Sequence, residues 1–205
     1  TRQDTLTQWT QIKAYTFSGT SNDVVTVQMS GSVNCQLELY RQNGTLLRRF
    51  NNRIDTLTLP STESYALFAM DDDGQQTGDY SVHLQRTNNP GNATTISYGQ
   101  TVEDTIRRAE MGAYRFTGSV NDVITIRMAA SWGGGPQIEL YDPVGTLLYS
   151  IGPIPGWQSW ARIDTFALPS SGSYTILARD NDGQETGTYN IHVQKTDRKS
   201  TRLNS

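Results

Sequence analysis

Two short stretches carry the residue types that hard cations prefer. Asp71-Asp72-Asp73-Gly74-Gln75-Gln76-Thr77-Gly78-Asp79-Tyr80 is answered far downstream by Asp180-Asn181-Asp182-Gly183-Gln184-Glu185-Thr186-Gly187-Thr188-Tyr189. Carboxylate oxygens gathered on a turn are the donors calcium takes. Asp71, Asp73, Asp180 and Asp182 are therefore candidate calcium ligands, with Asp79 and Glu185 near them in sequence. The spacing lacks the full Asp-x-Asp-x-Asp-Gly loop with its distal Glu. The same residues also suit a plain turn, in which Asp-Gly supplies the positive-φ step. Both uses stay open at this level.

Aromatic residues form the second candidate group. Trp132, Tyr149, Trp157 and Trp160 lie in stretches found only in the second half of the chain, amid Gly133-Gly134-Gly135-Pro136 and Gly152-Pro153-Ile154-Pro155-Gly156. Indole and phenol rings on loops stack on sugars or anchor subunit contacts, and they also cover the core of their own domain. These four are the candidate ligand or subunit-contact residues. His83 and His192 sit at matching places in two similar stretches, alternate with apolar neighbours and are expected to face solvent. No Gly-x-Ser-x-Gly elbow or His-Glu-x-x-His helix is present, and the one cysteine suggests no Cys–His pair. An enzyme is not expected. Asn43-Gly44-Thr45 and Asn92-Ala93-Thr94 are sequons, which makes Asn43 and Asn92 candidate glycosylation sites. Cys35 has no internal partner for a disulfide and is expected to be a small buried residue.

A net charge of −3 gives no electrostatic reason to expect nucleic acid as a partner. No run nears the roughly 18 apolar residues of a spanning helix, so no membrane span is expected. The chain starts at Thr1 rather than Met, as a mature product or a fragment would. Asp197-Arg198-Lys199-Ser200-Thr201-Arg202-Leu203-Asn204-Ser205 resembles a translated sequencing adapter or a disordered tail and is set aside.

The elements that must hold these residues come as two copies of one unit. Asn22-Asp23-Val24-Val25-Thr26-Val27-Gln28-Met29 matches Asn121-Asp122-Val123-Ile124-Thr125-Ile126-Arg127-Met128, and Gln36-Leu37-Glu38-Leu39-Tyr40 matches Gln137-Ile138-Glu139-Leu140-Tyr141. Ile54-Asp55-Thr56-Leu57 matches Ile163-Asp164-Thr165-Phe166, and Tyr80-Ser81-Val82-His83 matches Tyr189-Asn190-Ile191-His192. The separation between partners grows along the chain, which places insertions in the second copy near 131–136 and within 149–162. Apolar residues alternate with polar ones throughout: Val25, Val27 and Met29 are interleaved with Thr26 and Gln28. A period of two means half-buried strands of antiparallel sheets, and turn signals such as Gln42-Asn43-Gly44 and Asp73-Gly74 separate them. The fold class is all-β: two tandem antiparallel β-sandwiches of the jelly-roll or immunoglobulin-like kind. The first is expected over 1–87, a polar linker over 88–95 and the second over 96–196. Asp4-Thr5-Leu6 aligns with Asp104-Thr105-Ile106, so nothing in the first copy answers Thr95-Ile96-Ser97-Tyr98. The first sandwich is expected to lack its first strand: either the sequence extends upstream of Thr1 or another subunit supplies the strand, and both ends look cut from a longer array.

Ala14-Tyr15-Thr16-Phe17 with Asn22-Asp23-Val24, Leu39-Tyr40 with Gly44-Thr45-Leu46, Leu59-Pro60 before Tyr65, and Asp73-Gly74 before Gly78-Asp79-Tyr80 occur in this order. They occur again as Ala113-Tyr114-Arg115-Phe116, Leu140-Tyr141-Asp142-Pro143-Val144-Gly145, Leu168-Pro169 before Tyr174, and Gly187-Thr188-Tyr189. This order resembles the bacterial pre-peptidase C-terminal domain and is similar to clostridial collagen-binding modules. The resemblance implies extracellular, cell-surface, non-catalytic modules and transfers no ligand. Together these features lead to the expectation of a structural or adhesive subunit of a fibre or surface assembly, joined end to end with other copies or neighbouring domains by strand complementation. The alternative is a polysaccharide- or collagen-binding targeting module of a secreted hydrolase.

Overall fold

The computed structural model describes residues 1–133, 135–152 and 158–196. The first copy forms β1 (Arg2–Leu6), β2 (Ile12–Gly19), β3 (Val24–Gly31), β4 (Cys35–Arg41), β5 (Leu46–Asn51), β6 (Arg53–Thr58), β7 (Glu63–Asp71) and β8 (Gly78–Arg86). The second forms β9 (Thr94–Thr95), β10 (Gln100–Ile106), β11 (Met111–Gly118), β12 (Val123–Ala130), β13 (Pro136–Tyr141), β14 (Leu147–Ile151), β15 (Trp160–Ala167), β16 (Gly172–Asp180) and β17 (Gly187–Lys195). No helix occurs among the described residues, and none is long and apolar enough to cross a membrane.

Each copy is a sandwich of two sheets. The first pairs β1-β8-β3-β6 with β2-β7-β4-β5; the second pairs β10-β17-β12-β15 with β14-β13-β16-β11-β9. The all-β class expected from the period-two pattern is what forms. Val25, Val27 and Met29 of β3 face Leu37 and Leu39 of β4 across the first core, and Ile124, Ile126 and Met128 repeat the arrangement in the second. The strand registers repeat too: Gln28 lies opposite Arg53 and His83, as Arg127 lies opposite Arg162 and His192. Asn22 and Asn121 turn the chain into β3 and β12 at φ 69° and 68°, a left-handed conformation that Asn tolerates better than branched residues. The Leu-Pro…Tyr motif has a physical role in both copies. The Tyr65 hydroxyl donates to the Ser61 carbonyl at 2.7 Å and the Tyr174 hydroxyl to the Ser170 carbonyl at 2.6 Å, which satisfies a buried phenol and fixes the corner before the next strand.

The two sandwiches dock through sheet faces that alternation alone would leave wet. Thr26, Gln28 and Ser30 of β3 and Ser81, His83 and Gln85 of β8 point away from the first core, yet all are buried. They lie under the outer face of β13, β16 and β11, where Glu139, Tyr141, Leu177 and Arg179 are buried as well. The Arg53 guanidinium crosses from β6 to the Glu139 carboxylate at 2.8 Å, and Arg179 reaches the other carboxylate oxygen at 3.0 Å. The Tyr141 hydroxyl adds a third donor at 2.7 Å. Burial by itself raises a carboxyl's pKa; here Arg179 and Arg53 outweigh it and hold Glu139 below its usual range. The Gln184 side-chain amide donates to the Gly31 carbonyl at 3.1 Å. Gly145, at φ 90°, lets the β13–β14 turn close on the first sandwich, since a Cβ there would lie 2.9 Å from Val24. In the connection, Asn92 and Gln85 exchange amide hydrogen bonds of 3.0 and 3.1 Å, and Arg115 donates to Asn89 at 3.1 Å.

Candidate functional site

The aspartate loops are held as turns by their own carboxylates. Asp71 accepts backbone N–H donors from Asn34 at 2.9 Å, Gln75 at 2.9 Å and Gln76 at 3.0 Å, while Asp73 accepts from Gln75 at 3.2 Å. Asp180 accepts from Gln184 at 3.0 Å and Glu185 at 3.2 Å, and Asp182 from Gln184 at 3.1 Å. These bonds satisfy main-chain donors that the tight turn would otherwise strand. Among the described residues, no three His, Cys, Asp or Glu side chains converge on one point in either loop. The second loop has a further role, because Gly183 lies against Gln28 of the first sandwich.

The four aromatic candidates separate. Trp132 is 5% exposed and packs edge-on against Tyr189 at 6.1 Å, within the second core. It covers its own domain and presents no ring to a partner, which corrects its place among the contact candidates. Tyr149 is 40% exposed and leans on Phe166 at 5.8 Å. Trp160 is 46% exposed and opens a shallow shelf of about 330 Å³ that also involves Arg127, Arg162, Asn190 and His192. Trp157 lies outside the described residues. Trp9 is exposed on the turn after β1; it belongs to no insertion, and no motif in the sequence singles it out.

The histidines differ although their sequence contexts match. His192 is half-exposed, as its alternation implies. His83 is buried beneath the second sandwich, a correction to the solvent-facing expectation. Burial, helped by the N-terminal ammonium, pushes its pKa down to about 4. Thr1 and Gln85 hold its two ring nitrogens at 2.6 and 3.4 Å. Cys35 is a free, buried thiol, and burial followed by the Asp71 carboxylate pushes its pKa up to about 11. Asn43 is exposed on the β4–β5 hairpin, with its side-chain oxygen taken by the Thr45 N–H. Asn92 is exposed, but its amide is engaged with Gln85.

The largest difference between the copies lies at one sheet edge. In the second sandwich, β9 pairs parallel to β11, with Thr94 opposite Tyr114 and Thr95 opposite Arg115, so these two residues belong to a sheet and not only to the linker. The Ile96 N–H continues the ladder to the Arg115 carbonyl at 2.9 Å, and its side chain, 1% exposed, enters the core. Tyr98 packs on Phe116 at 5.7 Å and donates to Asp122 at 3.3 Å. In the first sandwich, β2 pairs with β7 on one side and, among the described residues, with no strand on the other. A groove of about 420 Å³ runs there, lined by Arg2, Tyr15, Phe17, Leu67 and Leu84 among others. Tyr15 and Phe17 are half-exposed, whereas their counterparts Tyr114 and Phe116 are fully covered.

No family model matches the sequence, and no curated protein matches it. Solved structures match about half of the chain each. The pre-peptidase C-terminal domain of a collagenase from Bacillus anthracis is 21% identical, with a TM-score of 0.41 over 52% of this chain and 99% of that one. CorA, a surface-associated copper-binding protein of Methylomicrobium album BG8, is 10% identical, with a TM-score of 0.38 over 51% of this chain and 98% of that one. PliG, a periplasmic inhibitor of g-type lysozyme from Aeromonas hydrophila, is 12% identical, with a TM-score of 0.34 over 51% of this chain and 97% of that one.

Proposed function

We propose that this chain is a non-catalytic structural or adhesive subunit of an extracellular assembly in which molecules join end to end. What supports the reading is the contact between the two sandwiches: a sheet face of each is buried against the other within the chain, while the repeats of both faces are open, with Trp160 exposed on one and Ile12 on the other. Exposed aromatic and aliphatic side chains on a face whose repeat is an interface are the kind that anchor a contact between copies. The docked sandwiches, joined through the buried Arg53–Glu139–Arg179 cluster, suit a unit that transmits length. Sedimentation velocity and negative-stain microscopy on the full chain test the reading. Concentration-dependent growth into rows is expected. A chain that stays monomeric at every attainable concentration overturns it.

The exposed Trp160 shelf favours a second reading, a module that holds polysaccharide or collagen. Retention on those insoluble polymers, lost in Trp160→Ala, is its signature; no retention of the wild type removes it.

A further inference from the structure

The internal contact uses one face of each sandwich, and the two faces left over are the counterparts of the two that met. The outer face of β1-β8-β3-β6 is buried against the outer face of β13, β16 and β11. The repeat of the first of these faces is the outer face of β10-β17-β12-β15, and it is open: Arg127, Ala129, Trp160, Arg162 and Asn190 are exposed there. The repeat of the second is the outer face of β2-β7-β4-β5. It is open as well, with Ile12 55% exposed, Ala14 exposed, and Tyr40, Phe68 and Met70 half-buried. Identical registers relate the faces. Ala14 lies opposite Phe68, and Phe68 opposite Glu38, as Ala113 lies opposite Leu177, and Leu177 opposite Glu139.

The charges repeat with the faces. Tyr40 donates to Glu38 at 2.7 Å, as Tyr141 does to Glu139. Arg49 covers Glu38 from its own sheet, in the role Arg179 has on Glu139, and its side chain is 58% exposed. The second arginine on Glu139 comes from the other sandwich, from Arg53. Its repeat is Arg162, which is tethered to Asp164 as Arg53 is to Asp55. On the same open face, Arg127 takes the place of Gln28 and adds a further positive charge.

We propose that the outer face of β10-β17-β12-β15 in one molecule docks on the outer face of β2-β7-β4-β5 in a second copy of this chain, repeating between molecules the contact that joins the sandwiches within one, with Arg162 on Glu38 in the place of Arg53 on Glu139. The proposal specifies the end-to-end reading above and rests on it. The two surfaces differ, so the contact is heterologous and every added molecule presents one free face of each kind. Trp160 brings apolar area to a partner face that offers Ile12, Ala14 and Phe68.

A charge exchange tests the pairing on the full chain by sedimentation equilibrium. Glu38→Arg alone sets Arg against Arg162, and Arg162→Glu alone sets Glu against Glu38. Each is expected to weaken self-association by at least about 30-fold, as loss of a desolvated charge pair does. Mixing the two variants restores one opposite-charge contact of each sense and is expected to recover assembly in an alternating row. Recovery also shows that both variants are folded. Assembly unchanged in the single variants, or lost in them and not recovered on mixing, overturns these surfaces while leaving end-to-end assembly standing. A monomeric wild type overturns the assembly itself.

Discussion

At the scale of residues, the outcome at each position follows from what covers it. His83 and His192 occupy the same register opposite Gln28 and Arg127, yet only His83 is dried by a second domain. Folded, His83 stays neutral down to about pH 4, whereas the unfolded chain takes up a proton near the ordinary value of 6.5. Acidification through that window favours the unfolded chain, so the stability present above pH 6.5 is lost as the pH falls toward 4. We expect the melting temperature of the wild type to fall more steeply over this range than that of His83→Gln, which carries no titrating group there. Parallel slopes would show that His83 does not titrate between these states. In the aspartate loops, Asp71 accepts three backbone N–H groups and closes its own turn.

At the scale of elements, β2 and β11 share the pattern Ala-Tyr-x-Phe-x-Gly and differ in fate. Both strands form because the alternation is local. Only β11 is covered on its edge, because Thr94–Tyr98 returns to lie along it. Ile96 is the residue that fastens this segment, and it is 1% exposed. Ile96→Ala removes buried methyl groups and is expected to cost about 2–4 kcal/mol, measured by denaturant unfolding of the full chain. It should also raise amide exchange in β11, whose Arg115 carbonyl holds the Ile96 N–H. A cost near zero would mean that the segment is not part of the folded sandwich. The alignment of Asp4-Thr5-Leu6 with Asp104-Thr105-Ile106 is legible in the sequence and places any counterpart of this segment ahead of Thr1. The groove beside β2 is not, because its walls come from β1, β2, β7 and β8 together.

At the scale of the whole molecule, a buried cluster of like and unlike charges sets how the sandwiches sit. Taking two arginines and a glutamate out of water is costly, and the cluster holds only while every member is paired. Glu139→Ala leaves Arg53 and Arg179 facing one another without their carboxylate. It is expected to destabilise the chain by about 3–5 kcal/mol and to expose the 87–93 connection to protease. Wild-type stability together with an uncut connection would contradict the docked arrangement. Replacing all three by well-fitting apolar residues should restore stability, since apolar packing of similar volume often matches or exceeds a buried ion cluster.

The sequence by itself determined the all-β class and the repetition of its strand and turn motifs. These rest on period-two alternation and on turn residues, which act over a few neighbours and repeat when the sequence repeats. It did not reveal that Gln28, His83 and Arg53 are interior residues, that Trp132 is core while Trp160 is surface, or that two repeated faces are left open. Alternation tells which side of a strand faces its own sheet partner; it cannot tell whether another sheet arrives on the far side. Only the tertiary structure decided that, by bringing Arg53 of one copy onto Glu139 of the other across residues distant in the chain.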